Sequence, residues 1–162
     1  MVRMITHLFF SFGVVAIALA PLHSWWLILP AAIVVFFTNF VIDLFGHEGG
    51  SRPRRTPLTH SIVYAPAWGI AVGVVFGFIM YIMTRGQMPI AMFSVLILCG
   101  VISSLSHLFS DSLTEGGIYV STEHNENTRW RLASYKYDNS MLNLGLIALG
   151  LGLLYLAYLI RR

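Results

Sequence analysis

Residues 4–42 read MITHLFFSFGVVAIALAPLHSWWLILPAAIVVFFTNFVI, 39 positions without a single Asp, Glu, Lys or Arg. About 20 apolar residues are enough for a helix to cross a hydrocarbon core about 30 Å thick. This stretch is therefore two spans, and it breaks at Pro21-Leu22-His23-Ser24, where proline and small polar residues interrupt the apolar run. Three further stretches without those charges follow, at residues 61–84, 86–110 and 139–160. The whole chain of 162 residues is 57% hydrophobic and 10% charged, with a mean hydropathy of +0.75. A water-soluble domain carries about 25% charged residues, so a water-facing globule is excluded.

The chain reads as one all-α, polytopic transmembrane domain over residues 1–162. Its five helices are expected at about 6–20, 25–47, 59–83, 89–111 and 140–160, with Thr59 as N-cap of the third. The longer connections are 48–58, which opens with Gly49-Gly50, and 112–139. Arg3 followed by the apolar run to Ala20 resembles a cleaved leader, but Pro21 directly after Ala18-Leu19-Ala20 disfavours cleavage, so the segment is taken as a span. The single cysteine, Cys99, rules out a disulfide framework and a thiolate metal site.

Sorting the basic residues by side gives an orientation. Arg3, Arg52, Arg54, Arg55, Arg129, Arg131 and Lys136 share one side, against Arg85, Arg161 and Arg162 on the other. The richer side is expected in the cytoplasm, which places the N-terminus inside a cell (cytoplasmic or inner) membrane. The same rule explains the net charge of +3 as loop anchoring to membrane lipids, without a nucleic-acid partner.

Acids and histidines sort more sharply. All seven acids and five of the six histidines fall at that same end; only His23 is opposite. At 1.5 Å per residue, Trp25 to Asp43 climbs about 27 Å and Met88 to His107 about 28 Å, so both helices deliver polar residues to one edge of the membrane. His7 and His60 begin helices there, and Asp43, His47, His107 and Asp111 end them. The pairs Asp43/His47 and His107/Asp111 are spaced i,i+4, and each should project from one helix face as a clamp. Asn39 extends the first face by one turn and Ser103 the second. Ionisable side chains near a membrane are costly, so their concentration in one layer implies a purpose. Imidazoles mixed with hard carboxylates suit a divalent ion, Zn²⁺ or Mn²⁺ above all. The expected ligands are His7, Asp43, His47, His60, His107 and Asp111, enough for one or two ions.

In the third helix Ser61, Ala65, Gly69, Gly73 and Gly77 recur every four residues. Such a stripe lets another helix approach closely, either within the chain or across a homodimer seam. Gly145, Ala148 and Gly152 of the fifth helix are a candidate counterpart.

Several motifs taken together resemble a known family. Thr6-His7-Leu8-Phe9-Phe10, the segment from Asp43 to His47, Thr59-His60-Ser61, and His107-x3-Asp111-x2-Thr114-x2-Gly117 occur in the order and spacing of the bacterial and archaeal YdjM-like family, described as inner-membrane metal-dependent hydrolases. The similarity extends to about Asn139. It implies a membrane metal hydrolase in which His7, Asp43, His60, His107, Asp111 and Thr114 take part. The chain departs from the family pattern by reading Asp43-Leu44-Phe45-Gly46-His47 in place of Asp-x-Asp-His, and Arg55-Thr56-Pro57 in place of His-Arg-Gly.

For the chemistry, an ion with an open position lowers the pKa of bound water to about 7. Asp43, Glu48 or Asp111, whichever is not a ligand, is the expected general base. Arg52, Arg54, Arg55 and Thr114 are expected to hold substrate, and headgroup depth points to a lipid or amphiphilic phosphoester. Two alternatives share the same ligands: a metal-stapled scaffold without catalysis, and a metal transporter. Transport is disfavoured because the third and fifth helices carry almost no polar groups at mid-membrane.

Overall fold

The structure, a computed structural model, describes residues 2–48, 54–123 and 129–162; of His47, Glu48 and Arg54 it describes the backbone. The described residues contain five helices long and apolar enough to cross a membrane. These are α1 (Met4–Leu19), α2 (Ile28–Phe45), α4 (Tyr64–Met83), α5 (Ile90–Ser112) and α6 (Ser140–Arg161), with the one-turn helix α3 at Pro57–His60. The class is all-α and the chain is a multi-pass membrane protein. Helices are the form that lets an apolar segment satisfy every backbone N–H and C=O without water.

The expected boundaries shift in three places, each for a local reason. Short 3₁₀ turns at Ala20–Leu22 and Trp25–Leu27 carry the chain across the first break, and α2 proper starts at Ile28. Helix α2 stops at Phe45, with Gly46 as its C-cap, so His47 is no longer helical. It lies instead in strand β1 (His47–Glu48), antiparallel to β2 (Arg54–Arg55), with His47 opposite Arg55. The expected third helix is split. Pro57 opens α3, Ser61 is extended, and α4 begins only at Tyr64. Pro66 explains the split, because proline lacks an N–H and clashes with the preceding turn, which confines it to the start of a helix. Thr56, not Thr59, occupies the N-cap position of α3.

Helix α5 is the hub of the bundle, packing on α1, α2 and α4, while α6 lies along the outside of α1. Gly69 of α4 meets the backbone of Gly100 of α5, and Gly73 and Gly77 face Ile97 and Phe93. The small-residue stripe is thus filled by α5 of the same chain. Gly145 and Gly152 face no neighbouring group, so they are not its counterpart; the close crossing of α6 is at Gly150, against Gly13 and Phe9 of α1. An apolar core of Val15, Leu19, Val34, Val35, Leu96 and Cys99 fills the middle of the bundle. Large apolar side chains such as Leu29, Ile82, Ile90, Leu144 and Leu151 point outward. In water such a surface would aggregate, whereas in a bilayer it is the solvent-facing side.

The segment after α5 folds back over the polar end. Strand β3 (Ile118–Tyr119) pairs with β4 (Arg129–Trp130) and bridges to Ser61. Tyr119 is buried beneath it.

Candidate metal centre

At the end of the bundle covered by β3 and β4, α1, α2, α3 and α5 bring His7, Asp43, His60, His107 and Asp111 together. Two overlapping triads, His7/Asp43/His107 and His60/His107/Asp111, each hold their nearest ligand atoms within 4.8 Å of one another. His7, His60, His107 and Asp111 are fully covered, and Asp43 retains 10% exposure. The rings of His7 and His107 stack with centroids 3.8 Å apart, and His60 meets His107 edge-on.

Hydrogen bonds around the rings fix which nitrogen faces the cluster. Asn39 Nδ2 donates to Val35 O at 2.8 Å and to Ser103 Oγ at 3.0 Å, so Asn39 Oδ1 is the acceptor facing His107 Nδ1 at 2.9 Å. In its neutral form His107 therefore carries its proton on Nδ1 and the lone pair on Nε2. Likewise Ser110 Oγ donates its one proton to His107 O at 2.9 Å and must accept from His7 Nδ1 at 2.8 Å. The neutral tautomer of His7 that fits this bond likewise presents the Nε2 lone pair to the cluster. His60 Nδ1 contacts Thr59 Oγ1 at 2.9 Å, again leaving Nε2 turned to the carboxylates.

Those nitrogens face oxygens. His7 Nε2 lies 3.5 Å from Asp111 Oδ1, His60 Nε2 3.3 Å from Asp111 Oδ2, and His107 Nε2 3.5 Å from both Asp43 Oδ1 and Asp111 Oδ2. Nε2 of His7 and of His107 and Oδ2 of Asp111 have no hydrogen-bond partner among the described residues. Lone pairs directed at carboxylates repel, and burial magnifies the repulsion. A divalent cation between them reverses its sign. With bonds of about 2.0–2.2 Å, adjacent ligands of a tetrahedral ion stand about 3.3–3.6 Å apart, the spacing found here.

Arg55 completes the electrostatics. Its guanidinium reaches Asp111 Oδ1 at 2.5 Å, Thr114 Oγ1 at 3.2 Å, and the carbonyls of Asp111 and Gly117 at 3.3 and 2.6 Å. This explains the His107-x3-Asp111-x2-Thr114-x2-Gly117 string. Thr114 Oγ1 donates to Asp111 O, and the left-handed Gly117 turns its carbonyl onto the arginine, so the string wraps Arg55 against one oxygen of Asp111 and leaves the other to the cluster. Tyr119 donates to Arg55 O and accepts from Arg129, which ties β3 and β4 to the same arginine. Burial holds the His60 imidazole down to about 3, against the opposing pull of Asp111, so it is neutral and fit to bind metal at pH 7.

Of the expected site residues, His7, Asp43, His60, His107 and Asp111 converge. The i,i+4 clamp of His107 with Asp111 forms, because both lie in the unbroken α5. Gly46 ends α2 between Asp43 and His47, so the two do not share a helix face; the side chain of His47 lies outside the described residues, and Asp43 faces His107. Arg55 and Thr114, expected to hold substrate, are buried and brace Asp111. The side chains of His47, Glu48 and Arg54 lie outside the described part of the structure, as do Arg52 and Gly49-Gly50. Ser110 and Tyr119 carry structural roles that the sequence reading passed over. The serine-rich end of α5, Ser103 to Ser112, was the visible signal, since so many hydroxyls on one spanning helix need partners.

A protein-family profile described as a protein of unknown function (DUF1286) matches residues 2–110. The chain belongs to the DUF1286 family. The DUF1286 match takes in His7, Asp43, His60 and His107 and ends one residue before Asp111. No curated protein and no solved structure matches the chain.

Proposed function

We propose that this protein is a membrane-embedded, metal-dependent hydrolase whose centre lies at the cytoplasmic edge of the cell membrane. The observation that carries the reading is the convergence of three imidazole nitrogens and two carboxylates at 3.3–3.5 Å, two of the nitrogens presenting their lone pairs in the neutral tautomers that fit Asn39 and Ser110.

In this reading His60, His107 and Asp111 Oδ2 would hold the ion, Zn²⁺ or Mn²⁺, with His7 beside them against Asp111 Oδ1. When bound, the ion polarises a phosphoryl oxygen and makes water acidic enough to yield a nucleophile at neutral pH. Asp43, whose Oδ1 lies 3.5 Å from His107 Nε2 and outside that set, would take the proton. Arg55 pairs with Asp111 Oδ1 and fixes the carboxylate in place. The location at headgroup depth favours an amphiphilic phosphoester, and the resemblance to the YdjM-like hydrolases agrees. The cytoplasmic placement rests on the seven basic residues at this end against three at the other.

A second reading has an observation of its own: four of the five ligands are fully covered, as in a structural centre without an open position. One experiment separates the two. Zinc- and manganese-loaded protein in liposomes is assayed on phosphomonoester and phosphodiester lipids beside His107→Ala. Chelator-sensitive turnover absent from the variant supports the hydrolase; stoichiometric metal without turnover leaves the stapled scaffold.

A further inference from the structure

Four of the five candidate ligands are fully covered, and the side of the bundle offers one approach to them. There α1 and α5 diverge around a groove of about 380 Å³ lined by Phe10, Val14, Ile102, Leu105, Ser106 and Phe109. The lining is apolar: the one hydroxyl, of Ser106, is spent on Ile102 O at 2.7 Å. All six residues lie in membrane-spanning helices, so the groove opens to hydrocarbon.

Its direction is informative. Helix α5 runs toward the polar end, so Ile102 marks the deep end of the groove and Phe109 the shallow end, about 10 Å apart at 1.5 Å per residue. At the shallow end Phe10 and Phe109 stack with centroids 5.8 Å apart, and the His7–Ser110 hydrogen bond lies immediately beyond them. Phe10 is one turn from His7, and Phe109 precedes Ser110, the partner of His7, although on α5 it faces away from His107 and Asp111. The groove therefore starts in the hydrocarbon and ends about one helical turn from His7, at its contact with Ser110.

We infer that this groove receives an alkyl chain of the substrate, and that the substrate class is a phosphoester amphiphile entering laterally from the leaflet on the side of the centre. The inference rests on the proposed hydrolase function for its headgroup chemistry. An extended chain lying from Ile102 to Phe109 brings its polar end to the depth of His7 and Asp111 and buries its methylenes against side chains of matching chemistry. A water-soluble phosphate would gain nothing from such a surface.

The protein carries its own control. A second apolar groove of about 230 Å³, lined by Phe78, Tyr81, Met88, Ile90 and Phe93, lies at the opposite end, and neither candidate ligand triad adjoins it. The test uses the full chain in nanodiscs with a phosphoester amphiphile bearing a diazirine in its chain, with the adducts mapped by peptide mass spectrometry. Adducts should concentrate on the Phe10–Val14 and Ile102–Phe109 peptides, exceed those at Phe78–Phe93 several-fold, and fall to the control level in Leu105→Trp or after chelation. Leu105 is half exposed, so tryptophan there fills the groove without disturbing the core. Equal labelling of both grooves, or labelling indifferent to metal and to Leu105→Trp, overturns the inference. Where turnover is found, Leu105→Trp should raise KM for long-chain substrate at least about tenfold while sparing a short-chain one. Turnover on both without that split defeats the groove and leaves the hydrolase standing. Enrichment in the groove without turnover on any phosphoester does the reverse.

Discussion

His107 Nδ1 and Asn39 Oδ1 lie 2.9 Å apart across the α2–α5 interface, and this bond decides which face of the imidazole is basic. Because Asn39 is itself locked by Val35 and Ser103, His107 cannot turn its proton toward Asp43 or Asp111. Asn39→Ala should therefore lower zinc affinity about 10–100-fold, the usual cost of losing a partner behind a ligating histidine, while the protein stays inserted and folded. Competition titration of wild type and variant against a fluorescent chelator reads this directly. Unchanged affinity would mean that the tautomer is not set here.

His60→Ala and Asp111→Ala should each reduce bound metal, measured by elemental analysis after purification from zinc-supplemented cells. They come from different elements, so a shared loss cannot be laid to one disturbed helix. Equal metal in all three proteins would remove the ligand assignment.

Arg55 and Asp111 make a buried ion pair within the layer. Removing one partner of a buried pair costs about 3–5 kcal/mol, because the other charge is left in low dielectric. Arg55→Ala should accordingly lower the Tm of the metal-free protein in detergent, and saturating zinc should recover most of the loss by supplying the missing positive charge. Arg55→Lys should fall between, since an ammonium cannot reach Gly117 O and Asp111 together.

The metal-free protein should also lose stability in mild acid. His60, in the connection between α2 and α4, titrates near 3 when folded and near its ordinary 6.5 when unfolded. The unfolded chain thus binds the extra proton first. Stability is whole above pH 6.5 and falls by up to about 1.4 kcal/mol per unit as pH drops toward 3. A Tm series from pH 7.5 to 5 in wild type and His60→Gln should show the slope in the first and a shallower one in the second.

The orientation has its own test. A cysteine at Ser121, in the segment covering the centre, should be protected from an impermeant maleimide in intact cells and become reactive after permeabilisation. Labelling of intact cells would invert the topology.

How far the sequence led can be judged at particular residues. The charge-free stretches identified all five spans, because a bilayer penalises charge so heavily that its absence is a signal in itself. His107 and Asp111 were legible as a clamp since no helix breaker stands between them. Asp43 and His47 were spaced just as well, yet Gly46 intervenes, and a glycine there stops the helix before the second tooth. Pro66 carried the same kind of signal, but the third helix was expected unbroken from Thr59, so its restart at Tyr64 was not foreseen. Arg55 was not legible: an arginine in a basic loop reads as a topology anchor or an anion binder, and only the three-dimensional return of Gly117 reveals that its donors are spent on Asp111. The tautomer-fixing role of Ser110 depended on the lateral meeting of α1 with α5, which no local pattern encodes.

The bundle's assembly yields a last prediction, centred on α6. This helix supplies none of the candidate ligands, and it approaches α1 where Gly13 and Gly150 face each other so closely that a Cβ on either would overlap the opposing backbone. Gly13→Val must therefore push α6 outward or distort α1, with a cost of about 1–3 kcal/mol typical of overpacking. Gly145→Ala and Gly152→Ala, where a Cβ meets open space, should be neutral or slightly stabilising, because alanine lowers the entropy cost of the helix. Thermal unfolding in detergent should rank the three accordingly. Metal stoichiometry should stay at the wild-type value in Gly145→Ala and Gly152→Ala. In Gly13→Val it should weaken only as far as His7, two turns away on α1, is displaced. A Gly13→Val protein as stable as wild type would show that α6 is held by its other contacts, such as the Asn143 hydrogen bond to Thr6, and not by the glycine crossing.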